Sequence, residues 1–185
     1  MRRKMRCTTP SSPLQSDCLV RACPRPHQMH CQGSSKSQTH QPGKNVANRA
    51  GSCLCGAVRY AISAEPVIAR ICWCRVCQKV SGNGTANAIF PTSSIEVTGT
   101  MYCFTSGADS GNLISRHFCP ICGSHLFASS SASPQFRAVR LGTLDDPSSI
   151  KPEINMWVSS APSWACLDET LRSEERQPTP PLQRQ

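Results

Sequence analysis

The sequence predicts an all-β domain of short strands, and three observations point there. Apolar and polar residues alternate, as in Val58-Arg-Tyr-Ala-Ile62, which is the two-residue period of a half-buried strand. Gly, Ser, Asp and Pro fall between such segments, where strand connections need them. Helical periodicity is nearly absent from the same region.

Order is expected to begin at Gly51. The first strand is carried by Val58, Tyr60 and Ile62, and Pro66 punctuates the chain after it. Val67–Ile71 reads as the next strand and delivers the chain to Cys72. Cys74 to Lys79 reads as a short helical turn, ended by Ser81-Gly-Asn-Gly84. Thr85–Phe90 and Ser94–Thr98 follow as strands broken by Pro91, which cannot donate to a ladder. Met101–Thr105, Ser115–Phe118, Leu126–Ser129 and Phe136–Leu141 continue the pattern, and Ile154–Val158 is the last candidate. The expected domain covers residues 50–172, with residues 173–185 as a polar, Pro-rich flexible tail. Residues 1–49 are rich in Ser, Pro, Gln, Arg and His. They offer too little hydrocarbon to offset their ordering entropy, so a disordered basic extension is expected.

The formal net charge of +9 is concentrated in that extension, which holds nine Lys/Arg against one acid, Asp17. The rest of the chain holds eleven against ten, so its surface makes no electrostatic case for nucleic acid. No apolar run near the start is long enough for a signal-peptide core, and none approaches membrane-spanning length. No membrane role is expected. The extension is Arg-rich and acid-poor like an organelle transit peptide. Yet Pro10, Pro13, Pro24 and Pro26 interrupt the amphipathic helix such peptides form. An intracellular, reducing compartment is therefore expected, the cytoplasm first and an organelle second.

The chain has thirteen cysteines, and seven of them fall into three groups. These read Cys53-x-Cys55, Cys72-x-Cys74-x-x-Cys77 and Cys119-x-x-Cys122, which is metal-ligand spacing rather than loop-stapling spacing. Cys119-Pro-Ile-Cys122-Gly123 lets a tight turn aim two sulfurs at one ion, with Gly123 free to take the positive φ such turns need. Cys53 and Cys55 lie on one side of an extended segment. One pair from each end of the domain makes an all-thiolate, four-ligand structural zinc site. Cys72, Cys74 and Cys77 can wrap a second zinc. His117 or His125 could close that site, or it stays open for reaction. Arg75 and Lys79 flank the loop and read as solvated charge. Cys103 is expected to be a small buried hydrophobe, and Cys166 carries no motif. In the extension, Cys7, Cys18, Cys23 and Cys31 with His27 and His30 have irregular spacings that suggest adventitious binding at most.

Four segments occur together in order: Gly51-Ser-Cys-Leu-Cys-Gly-Ala-Val-Arg-Tyr60, Cys72-Trp-Cys-Arg-Val-Cys-Gln-Lys79, Phe118-Cys-Pro-Ile-Cys-Gly-Ser-His-Leu-Phe127 and Gly142-Thr-Leu-Asp-Asp-Pro147. Together they closely resemble the glutathione-dependent formaldehyde-activating enzyme family, which includes centromere protein V. The likeness spans about residues 50–166. It implies an Mss4-like fold with two zinc ions. Cys53, Cys55, Cys119 and Cys122 match the structural ligands, and Cys72, Cys74 and Cys77 the catalytic ones. The implied activity is that of a carbon–sulfur lyase acting as an S-(hydroxymethyl)glutathione synthase. It would join a small-molecule thiol such as glutathione to formaldehyde or another small aldehyde. The second implied reading is a non-enzymatic zinc module of centromere protein V type, whose basic arm engages nucleic acid or another acidic partner. Two positions depart from the family's usual residues. Trp73 stands where His is frequent between the first two catalytic cysteines, and Asn155 stands where His opens a late segment.

Overall fold

A computed structural model describes residues 48–178. The expectations for the extension before residue 48, its cysteines and histidines included, and for the tail after residue 178 lie outside the described residues. The elements run β1 (Arg49–Ser52), β2 (Arg59–Ile62), β3 (Ile68–Cys72), α1 (Arg75–Ser81), β4 (Thr85–Pro91), β5 (Ile95–Thr98), β6 (Tyr102–Gly107), β7 (Leu113–Phe118), β8 (His125–Ser130), β9 (Phe136–Arg140), β10 (Ile154–Met156) and β11 (Arg172–Glu174). The all-β class holds: α1 spans only seven residues among the strands.

Two sheets form. The smaller is antiparallel, in the order β1-β2-β5. The larger has eight strands in the order β11-β10-β3-β4-β9-β8-β7-β6. All its pairings are antiparallel except β10 with β3 and β10 with β11. The chain reaches β10 only after the 3₁₀ turns Leu141–Thr143 and Pro147–Ser149, which return it to the far side of β3.

The alternation read from Tyr60 and Ile62 puts both side chains in the core, 4% and 1% exposed, while Arg59 and Ala61 stay outside. They pack with Phe90, Phe127, Val139 and Leu141. Tyr60 meets Phe127 edge-on with ring centroids 5.0 Å apart, and its hydroxyl bonds the Thr143 hydroxyl at 2.8 Å. The apolar body of Tyr60 thus fills the core while its polar end finds a partner.

Most strand ends move by one or two residues from the sequence reading, β10 closing at Met156 rather than Val158, and three differences have a visible cause. Pairing starts at Arg49 because that residue still has a partner in Ile62. Val58 is fully buried but precedes β2, since its N–H turns back to Cys53 Sγ. Arg172–Glu174, split by the expected domain end, pairs parallel with β10. Cys103 is half-buried rather than a core residue, because β6 is an outer strand of the large sheet and its neighbours Tyr102 and Phe104 are exposed.

Candidate metal centres

The first thiol group is assembled from two turns. After β1 the chain reverses through Cys53–Gly56, where the Gly56 N–H donates to the Cys53 carbonyl at 3.0 Å. After β7 it reverses through Cys119–Gly123, where the Gly123 N–H reaches the Cys119 carbonyl at 2.9 Å. Gly123 has φ +73, the left-handed conformation that the sequence required of it. The Leu54 N–H donates to Ser124 Oγ at 3.1 Å and holds the two turns together.

The ligand atoms of Cys53, Cys55, Cys119 and Cys122 all lie within 4.8 Å of one another. Cys53 Sγ is 3.5 Å from Cys55 Sγ, and Cys55 Sγ is 3.7 Å from Cys119 Sγ. Four sulfurs around one ion at about 2.3 Å would sit about 3.8 Å apart, so the spacing fits a tetrahedral thiolate site. A disulfide needs about 2.0 Å, and these cysteines are free. Cys122 is drawn down to about 5 because the Ser124 hydroxyl and N–H donate to its sulfur. Cys55 is helped down by the Ala57 N–H but ends up near about 12, raised by burial and by the three sulfurs around it. Such a group loses its first proton easily and its last with difficulty, so a cation that displaces protons relieves it.

The second group is local. Cys72 ends β3, Cys74 caps α1, and Cys77 sits in its first turn. Cys74 Sγ accepts the Cys77 N–H at 3.4 Å, a cap that also favours the thiolate. The ligand atoms of Cys72, Cys74 and Cys77 again lie within 4.8 Å of one another. Cys77 is held down to about 2, because the Cys72 and Cys74 thiols donate to it and Arg140 stands beside it. Cys72, donating to both and buried, is pushed up.

Among the described residues no fourth ligand joins this trio. His117 lies on β7 two residues from Ser115, bonds Ser129 Oγ at 3.3 Å and belongs to neither thiol group. His125 stacks against Phe118 at 5.4 Å and is likewise outside both groups.

The sheet places further polar groups around the trio that the sequence reading did not single out. Cys72 pairs with Thr85, and Arg70 pairs with Asn87, which pairs in turn with Arg140. Residues two apart share a face, so these five line the same side of the sheet. Arg140 is 8% exposed and donates from Nη1 to Asn87 Oδ1 at 2.5 Å. Gln78 donates from Nε2 to the Trp73 carbonyl at 2.5 Å and to the Ser160 carbonyl at 2.8 Å, which pins the thiol loop to the turn after β10. Arg70 carried a faint signal, a charge inside an otherwise apolar strand. A cleft of about 300 Å³ lined by Thr105, Ser115, Ser129 and Arg137 opens on the other face of β9 from Arg140.

Comparison with known proteins follows the same residues. The family model of the glutathione-dependent formaldehyde-activating enzyme matches residues 48–160. The chain belongs to that family. A Halomonas elongata protein that carries the family's name provisionally is 28% identical over 133 residues, covering 68% of this chain and 83% of that one. A crystal structure of a Rhodobacter sphaeroides protein is 24% identical with a TM-score of 0.42, covering 56% of this chain and 91% of that one.

The two departures from this family's usual residues both fall inside the protein. Trp73 is 4% exposed and lies against Gly84, where an added Cβ would come within 2.7 Å of the indole. Asn155 is fully buried and donates from Nδ2 to the Asp168 carbonyl at 3.0 Å. It pairs with Ile71, out of phase with Cys72, and so points to the opposite face from the thiols. Each also keeps a buried polar atom without a hydrogen-bond partner, Trp73 Nε1 and Asn155 Oδ1.

Proposed function

We propose that this protein is a zinc-dependent carbon–sulfur lyase that joins the thiol of glutathione, or a similar thiol, to formaldehyde or another small carbonyl. One observation carries the reading: of two thiol groups, one has four ligands and the other has three with no fourth among the described residues. Cys53, Cys55, Cys119 and Cys122 would hold a structural zinc, and Cys72, Cys74 and Cys77 a catalytic one. A zinc held by three protein thiolates would supply Lewis acidity, favouring the thiolate form of an incoming thiol and polarising a carbonyl. The chain's part is to keep the three thiols in place. Gln78 fixes the loop from behind, the Cys77 N–H steadies Cys74, and Arg140 beside Cys77 favours anionic sulfur. In the addition, the S–C bond forms as the carbonyl π pair moves onto oxygen, and the proton given up by the thiol ends on that oxygen. Family membership supports the same substrates.

The test is direct. Purified protein should speed the loss of formaldehyde in the presence of glutathione, and Cys74→Ser should abolish the gain. Elemental analysis should find two zinc ions per chain in the wild type and one in Cys77→Ser, with the circular dichroism of the fold kept. Equal, uncatalysed rates for wild type and Cys74→Ser sink the proposal.

A further inference from the structure

We infer that Arg70, Asn87 and Arg140 form an anion-recognition row beside the three thiols, and that the thiol substrate carries a carboxylate held there. The inference rests on the thiol–carbonyl reading and narrows its substrate.

The row is built by register. Arg70, Asn87 and Arg140 are consecutive partners across β3, β4 and β9, about 4.8 Å from strand to strand. Cys72 lies two residues beyond Arg70 on the same face, about 7 Å along the strand. Arg70 interacts electrostatically with Cys72, Cys77 and Cys74, and Arg140 with Cys77 and Cys72, so both guanidinium groups look toward the thiols. Asn87, itself 4% exposed, is fixed by its Nδ2 bond to the Thr85 carbonyl at 2.8 Å and holds Arg140 through Oδ1. Arg140 Nε is buried with no hydrogen-bond partner.

Among the described residues no carboxylate is ion-paired with the row. The ion pairs among the described residues are Arg49–Glu65 and Arg172–Glu174, and neither touches it. Two desolvated cations side by side are costly unless something negative meets them. Three thiolates around a divalent ion carry one net negative charge, which leaves the pair only half balanced. A substrate that brings a carboxylate along with its thiol completes the balance. A planar guanidinium with free N–H groups is the side chain suited to take it. Glutathione, with two carboxylates, has the right chemistry, whereas a neutral thiol does not.

The experiment uses the full, zinc-loaded chain. Calorimetry measures binding of S-methylglutathione, whose capped sulfur cannot become a thiolate, and of its diethyl ester, whose carboxylates are capped. The wild type should bind the acid about 10- to 100-fold more tightly than the ester. Arg140→Gln should erase that preference with zinc content unchanged, and Arg140→Lys should restore part of it. In turnover, the preference for glutathione over 2-mercaptoethanol in kcat/KM should shrink by a similar factor in Arg140→Gln. Equal binding of acid and ester by the wild type overturns the row without any variant. Loss of zinc from Arg140→Gln, with the acid preference of its zinc-replete form intact, overturns it in favour of a charge-balancing role. Arginine-dependent binding of the acid in a protein that turns over no formaldehyde keeps the row and removes the lyase reading.

Discussion

The two thiol groups use the same short spacings and are placed in opposite ways. The four-thiol group closes the chain across 64 residues, joining the turn after β1 to the turn after β7. The three-thiol group draws all its sulfurs from Cys72–Cys77 at the junction of β3 and α1. An ion in the first restrains a long loop and so contributes to folding. An ion in the second restrains almost nothing that β3, α1 and Gln78 have not already fixed. The difference teaches that ligand count and chain separation go together: the group that spans the fold has four thiols, and the group free of that duty has three ligands among the described residues.

Three measurements sharpen or break this contrast. The largest effect is expected from Cys119→Ser, which removes a fully buried sulfur from the long-range group. A structural zinc contributes about 10 kcal/mol or more in small peptides, against a domain stability of about 5–15 kcal/mol. The cooperative thermal transition should disappear. If it survives within a few degrees of the wild type, the long-range site is not what closes the fold. Next comes Gly84→Ala, which touches no thiol but drives a methyl into the Trp73 ring at 2.7–2.9 Å. A cost of about 1–3 kcal/mol in urea unfolding is expected, more than Cys77→Ser causes. The reverse order would mean that metal rather than packing sets the loop.

The smallest effect concerns His117. Burial first, and Arg137 second, hold its pKa below the ordinary 6.5. The fold therefore prefers the neutral ring, and the stability this contributes is present above pH 6.5 and lost as pH falls through the depressed value. His117→Phe should flatten the decline in urea stability between pH 7 and 5. An identical decline in both proteins would assign it to proton-driven release of metal from the thiols instead.

Much of this was legible in the sequence, for a local reason. Alternation within a segment reports which residues share a face, so Tyr60 and Ile62 could be placed in the core before any strand partner was known. Tight cysteine spacing likewise encodes its own geometry, which is why Cys53-x-Cys55, Cys72–Cys77 and Cys119-x-x-Cys122 could each be read as a unit by inspection. Which strands lie side by side is not a local property. Nothing in Ile154–Met156 says that it enters beside β3, and the polar Arg172–Glu174 gives no apolar signal for its pairing. The arginine row was invisible for the same reason. Arg70, Asn87 and Arg140 come from three strands, and only the register brings them together.

The outer strand β6 of the large sheet has a practical side. β6 reads Tyr-Cys-Phe-Thr-Ser-Gly, has one neighbour among the described residues, and leaves Tyr102 and Phe104 49% and 61% exposed. It carries no lysine, proline or acid to discourage a stray ribbon from adding itself to the unsatisfied amides. Concentrated preparations of this protein should thus clump through that rim first.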